Sequence, residues 1–296
     1  MIKKALVFSG GGARGAFQIG VWKYLNEIGW KPDIICGSSI GAINAAGIGS
    51  GLDMSTLIRL WTTAERRRIY RLNLMPFLSG LISGRTFSPL FDTRSAQSVL
   101  SDCLDFDALR TNSTRIVISA VNVHTGRVVF FDNSKIGLPH ILASSAMPIL
   151  FPWHNIDGIP HWDGGVMANV PLQPALDWGA QKIIVVTLSP VGQIPQASPG
   201  TVREAMEHLF EQFLTGSYQT ALNVKKYRDQ PFLQFPASPG RKVRSVSEPV
   251  SQPDILTLSP SKMLGFRSLL NFSLSQARQL IDEGYQTAQT ELKNFI

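Results

Sequence analysis

Two glycine-rich turns early in the chain carry residue types that could do chemistry together. The first, Gly10-Gly11-Gly12-Ala13-Arg14-Gly15, follows the apolar run Ala5-Leu6-Val7-Phe8, and the second, Gly37-Ser38-Ser39-Ile40-Gly41, follows Ile34-Ile35-Cys36. Each has the form strand, tight turn, helix. Glycines at such a turn let backbone N–H groups point outward at a helix N-terminus, where the dipole favours negative charge. The second turn sets a serine between two glycines as a nucleophile elbow does, with a strained turn exposing the hydroxyl and a helix packed close behind it. Counted from Gly37 the central position is Ser39, which leaves Ser38 as a supporting turn residue. An anion-binding loop beside an exposed serine is the minimum apparatus for acyl transfer. Either turn by itself also has a plain structural reading, a tight turn with close helix packing.

Two other chemistries fail on residue type. Gly10-x-Gly12-x-x-Gly15 formally matches a dinucleotide fingerprint, but the second strand runs into Gly37-Ser38-Ser39 where an acidic residue for a ribose hydroxyl is required. A phosphate-binding P-loop needs Lys and Ser/Thr where this chain has Ala16-Phe17. No cluster has metal-ligand spacing, so neither a metal nor another cofactor is expected.

A third element lies far downstream. Trp162-Asp163-Gly164-Gly165 continues to Asn169-Val170-Pro171 and is preceded by Ala143-Ser144-Ser145-Ala146-Met147-Pro148-Ile149-Leu150-Phe151-Pro152. With it the sequence resembles the patatin-like phospholipase family, which pairs Gly-Gly-Gly-x-Arg/Lys-Gly, Gly-x-Ser-x-Gly and Asp-Gly-Gly/Ala in this order. The matching span is about residues 5–190. The resemblance implies a Ser–Asp dyad without histidine: Ser39 as nucleophile, Asp163 as its base, and Gly10, Gly11, Gly12 and Arg14 as the oxyanion loop, with Arg14 stabilising the loop or charge nearby. Gly15, Gly37, Gly41, Gly164 and Gly165 support these motifs. It further implies a three-layer α/β/α sandwich with a mostly parallel central sheet. The activity it implies is that of a lipid acyl hydrolase, of phospholipase A or lysophospholipase type, acting on a phospholipid or other acyl ester. An acyltransferase using the same dyad and a catalytically dead interaction module stand as alternatives.

An aspartate with a reference pKa of about 3.9 is a poor base for a hydroxyl in water. It needs a dry pocket that raises its basicity and a hydrogen bond to the serine; Trp162, Phe151 and Trp153 are candidates for the walls. Of the five histidines (His124, His140, His154, His161 and His208), His161 shares a strand face with Asp163 and could complete a triad. An ordinary polar strand residue is the favoured reading there.

The elements that must position these residues alternate between short apolar runs and helical patterns, which argues for a parallel sheet flanked by helices. Residues 3–8 are expected as a strand and 14–28 as a helix stopped by Gly29. A strand at 33–36 leads into a helix from Ser39 to about Gly49, with another helix over 54–66. Strands are expected at 115–121 and 127–131, joined by a turn at His124-Thr125-Gly126. Residues 182–188 are apolar on both faces, as a central parallel strand should be. A loop at 189–200, a helix over 201–226, a short strand near 231–235, a basic Pro/Ser-rich stretch at 236–253 and a last helix over 273–294 complete the expectation. One domain spanning 1–296 is expected.

The 296 residues are 44% hydrophobic and 17% charged, enough apolar material for a sizeable core. A formal net charge of +7 suits an anionic partner such as a phospholipid surface. Nucleic acid is the rival partner for a basic chain, and no zinc-finger, RRM or basic-helix signature supports it. Cys36 and Cys103 are the two cysteines, and Cys36 ends an apolar run, so a disulfide framework is not expected. The apolar stretch after Lys3-Lys4 ends at Phe8, short of the roughly 7–15 residues of a leader's core, and no run approaches the roughly 18 needed to span a bilayer. A cytoplasmic protein is expected, with peripheral membrane contact as a further possibility. Arg66-Arg67-Arg68-Ile69-Tyr70-Arg71 ahead of the apolar residues 72–82 would suit docking on an anionic bilayer. The favoured reading of that stretch is a basic surface patch followed by a buried loop or short helix covering the core.

Overall fold

The computed structural model describes residues 2–63, 69–228 and 253–296. Its strands are β1 (Lys4–Phe8), β2 (Ile34–Ser38), β3 (Arg71–Leu72), β4 (Phe91–Asp92), β5 (Arg115–Asn122), β6 (Val128–Asp132), β7 (His154–Ile156), β8 (Ile159–Asp163), β9 (Lys182–Val186) and β10 (Asp254–Leu258). Eight of them form one mixed sheet in the order β10-β9-β1-β2-β5-β8-β7, with β6 also on β5. From β10 through β5 the pairs are parallel, whereas β5 pairs antiparallel with β6 and with β8. The two-residue strands β3 and β4 make a separate ladder.

The main helices are α1 (Ala16–Glu27), α2 (Ile40–Gly49), α3 (Met54–Thr63), α4 (Leu74–Ser83), α5 (Arg94–Cys103), α6 (Leu138–Ser144), α7 (Val202–Arg228) and α8 (Leu274–Glu291). Side chains alternate faces along a strand, and β1 shows it directly. Leu6 and Phe8 join a core under α1, α2, α3 and α8, while Ala5 and Val7 join Tyr218 of α7 and Ala175 in a second core on the other face. Because both faces are covered, the central strands β1 and β9 read as almost unbroken apolar runs. Each fully buried Leu, Ile or Phe contributes about 1.5–3 kcal/mol. No helix among the described residues is long and apolar enough to cross a membrane.

One pairing decides where the site forms. β2 runs along β5 as far as Ser38 opposite Ser119, and β8 arrives antiparallel with Asp163 opposite Ala120. Residues 117–121 of β5 give their other edge to β6. So β2 and β8 share one edge of β5 and meet there C-terminus to C-terminus. Ser39 follows one strand end and Asp163 is the other.

Several expectations need correction or fall outside the description. Strand β7, the edge strand β10 and helix α5 have no counterpart in the sequence-based expectation. The apolar residues 72–82 do not cover the core: Met75, Leu81 and Ile82 of α4 are 77%, 70% and 85% exposed. Arg66, Arg67 and Arg68, the strand expected near 231–235 and the basic stretch 236–252 lie outside the described residues.

Candidate functional site

Ser39 sits between β2 and α2 with φ 54° and ψ −124°, a positive φ that a residue with a Cβ adopts only under constraint. The constraint is close packing. A Cβ on Gly37 would collide with the Gly41 carbonyl, and one on Gly41 would lie 2.5 Å from the Phe8 carbonyl oxygen, so both glycines let α2 start directly against β1 and β2. Ser39 is the N-cap of α2, where the helix dipole favours negative charge. Ser38 is fully buried, and among the described residues its hydroxyl has no hydrogen-bond partner.

The Ser39 Oγ donates a hydrogen bond to Asp163 Oδ2 at 2.6 Å. Asp163 has no solvent exposure. Its Oδ1 accepts the Gly165 N–H at 2.7 Å. Burial raises its pKa from 3.8 to about 7, against the lowering effect of the bonds from Ser39 and Gly165. The end of α6 and the turn after it clamp both residues. Ser144 Oγ accepts from the Ser39 N–H, and the carbonyls of Ala146 and Ser144 accept from the N–H groups of Asp163 and Gly164. A Cβ on Gly164 would collide with Ser119 Oγ, so this glycine lets β8 close onto β5.

The loop from Gly10 to Gly15 lies against this pair. The Gly10 N–H donates to the Asn169 carbonyl, and a Cβ on Gly10 would lie 3.0 Å from the Ser39 Cβ and strike the Asn169 amide. Gly11 and Gly12 have φ of 153° and 58°, conformations that favour glycine. Among the described residues their N–H groups have no acceptor. Gly12 and Ser39 line the same cavity, of about 100 Å³, together with Phe151, His154, Leu142 and Leu270.

Arg14 has a narrower part than expected. It is fully buried, and all five of its side-chain N–H donors are used: by Glu211 Oε1 and Oε2, Ser268 Oγ and the carbonyls of Leu188 and Gly265. Its backbone N–H donates to the Gly11 carbonyl. Arg14 therefore has no donor left for charge at the site; it ties the glycine loop to α7 and to the short helix at 265–269. Neither Glu211 nor Ser268 carries a sequence signal for this role.

Of the suggested walls, Phe151 lines the cavity with Ser39, whereas Trp153 stacks on Phe87 and Trp162 does not line it. His161 is buried with its Nδ1 2.8 Å from the Ile159 carbonyl oxygen, and it makes no hydrogen bond to Asp163 or Ser39. His154 is the histidine in the cavity, and burial lowers its pKa, so it is neutral at pH 7. Among the described residues no group of His, Cys, Asp and Glu could hold a metal ion. A strained serine bonded to a dry carboxylate near neutrality, with free amides alongside, can pass a proton and hold an oxyanion.

The sequence model described as Patatin-like phospholipase matches residues 6–176. A cGAMP-activated phospholipase of Pseudomonas aeruginosa is 28% identical over 181 residues, which are 56% of this chain and 53% of that protein. Patatin-like phospholipase domain-containing protein 7 of Mus musculus is 32% identical over 191 residues, 62% of this chain and 13% of that protein. The chain thus spans about half the length of the first and a small part of the second. The crystal structure of VipD from Legionella pneumophila superposes with a TM-score of 0.51 at 14% identity, covering 99% of this chain and 67% of that one, a likeness of fold.

Proposed function

The chain belongs to the patatin-like phospholipase family, and on that premise we propose that it hydrolyses a lipid acyl ester through an acyl-enzyme on Ser39, with Asp163 as the base. The observation that carries this reading is the 2.6 Å hydrogen bond from Ser39 Oγ to a fully buried carboxylate whose pKa is about 7. A base poised near the working pH combines the correct protonation state with a useful driving force.

The Ser39 oxygen attacks the ester carbonyl carbon as its proton passes to Asp163 Oδ2. The carbonyl oxygen becomes an oxyanion facing the unpaired amides of Gly11 and Gly12, donors of the kind whose single loss lowers turnover about 100- to 1000-fold. Collapse breaks the ester C–O bond, and Asp163 returns the proton to the departing alkoxide. Water then attacks the acyl-enzyme, Asp163 takes its proton, and collapse frees the fatty acid and restores the Ser39 hydroxyl.

A phospholipid at an anionic membrane is the substrate source this surface suits. Between residues 69 and 91 the chain carries Arg71 and Arg85 and no acidic residue, flanking the exposed apolar side of α4. Backbone bonds from Leu90 and Phe91 to the carbonyls of Ile149 and Leu150 fix this segment beside Phe151 of the cavity.

Hydrolysis of p-nitrophenyl butyrate by single variants tests the assignment. Ser39→Ala and Asp163→Asn should each lose activity by orders of magnitude, while Ser38→Ala and His161→Ala stay within a few-fold of wild type. A dead Ser38→Ala with an active Ser39→Ala, or a His161→Ala loss as deep as that of Asp163→Asn, would overturn it.

A further inference from the structure

We propose that the apolar cavity between α2, α3 and α5 seats one acyl chain of about ten carbons, the acyl half of the ester attacked at Ser39. This inference rests on the Ser39–Asp163 reading of the site. The cavity measures about 260 Å³ and is walled by Ile43 and Gly47 of α2, Leu57 and Trp61 of α3, and Val99 and Cys103 of α5. It adjoins the smaller cavity that holds Ser39: Ile40, Ile43, Ile69, Ala96, Leu100 and Phe272 line both. Ile40, the residue after the serine, stands at the junction. A chain attached to the Ser39 oxygen is therefore led over Ile40 into the larger space.

The walls select hydrocarbon. Their few polar side chains are already used within the protein. Asn44 Nδ2 donates to the Gly15 carbonyl and to Gln18 Oε1, Trp61 Nε1 donates to Asn44 Oδ1, and Thr63 Oγ1 donates to the Arg59 carbonyl. A headgroup placed there would give up its water hydrogen bonds without replacement. Size sets the chain length: a dry engineered cavity of about 150 Å³ takes up benzene, so 260 Å³ corresponds to about ten carbons.

Two measurements test this. First, kcat/KM on p-nitrophenyl esters of increasing acyl length should rise roughly threefold to fourfold per methylene, up to about ten carbons, and then level off or fall. Val99→Phe, which fills part of the larger cavity at a residue that does not line the smaller one, should lower the ratio of decanoate to butyrate hydrolysis at least tenfold. A flat profile, or an unchanged one in Val99→Phe, with Ser39-dependent butyrate hydrolysis intact, would overturn the acyl seat alone. Loss of all ester hydrolysis in the wild type would instead sink the dyad. Second, Cys103 is half-buried in the cavity wall while Cys36 is fully buried, with its thiol pushed up to about 12, so maleimide reports on Cys103. Inactivation with a decyl fluorophosphonate should slow Cys103 alkylation at least tenfold, and a methyl fluorophosphonate should not. Equal rates after both would refute the seat whether or not Val99→Phe folds.

Discussion

Asp163→Asn should stabilise the protein at neutral pH while removing its activity, and the gain should grow with pH. The carboxyl is fully buried, and burial lifts its pKa from 3.8 to about 7. The folded state therefore keeps a proton that the unfolded chain releases between about pH 4 and pH 7, and stability falls as pH rises through that window. At 1.36 kcal/mol per pH unit, a gap of about three units makes the charged carboxylate destabilising by about 4 kcal/mol above pH 7. Asparagine has the same shape, is neutral at every pH, and keeps an oxygen for the Gly165 N–H. The stability difference should thus be near zero at about pH 4 and about 4 kcal/mol at about pH 8, or about 8 °C in Tm for a chain of this size. Thermal unfolding of both proteins across that range reads it. The same proton should give wild-type kcat/KM a fall below about pH 7, where Asp163 can no longer accept. A difference in Tm that does not change with pH, or a wild type that gains on the variant as pH rises, would refute the reasoning.

Arg14→Met should lower stability by about 3–5 kcal/mol, since it leaves Glu211 buried without its partner; adding Glu211→Leu should restore much of the loss, as thermal unfolding of the single and double variants will show. Vesicles containing anionic lipid should bind the protein more tightly than neutral ones, and salt should weaken the difference. Replacing Met75, Leu81 and Ile82 together by Ser should cut vesicle binding at least tenfold, about 1.4 kcal/mol, and leave hydrolysis of a soluble ester unchanged.

What the sequence could disclose was local. β1 and β9 are legible because strands covered on both faces are apolar throughout, and the elbow is legible because Gly37 and Gly41 are required by contacts a few residues away. The meeting of Ser39 and Asp163 is not local. It depends on β5 being long enough to seat β2 and β8 end to end, and the family resemblance, rather than any spacing, paired the two residues. The motif places Arg14 in the oxyanion loop, but its partners Glu211 and Ser268 lie 197 and 254 positions away with no pattern marking them. The apolar run in α4 says that a helix is greasy, and only the packing reveals that its side chains face outward.

The most direct test is reaction of the protein with a fluorophosphonate followed by peptide mass spectrometry, with the labelling rate compared between wild type and Asp163→Asn. The dyad predicts a single phosphonyl adduct on Ser39, none in Ser39→Ala, and labelling at least 100-fold slower when Asp163 can no longer take the serine proton. An adduct on Ser38 or elsewhere, or an Asp163→Asn protein that labels as fast as wild type, would contradict it.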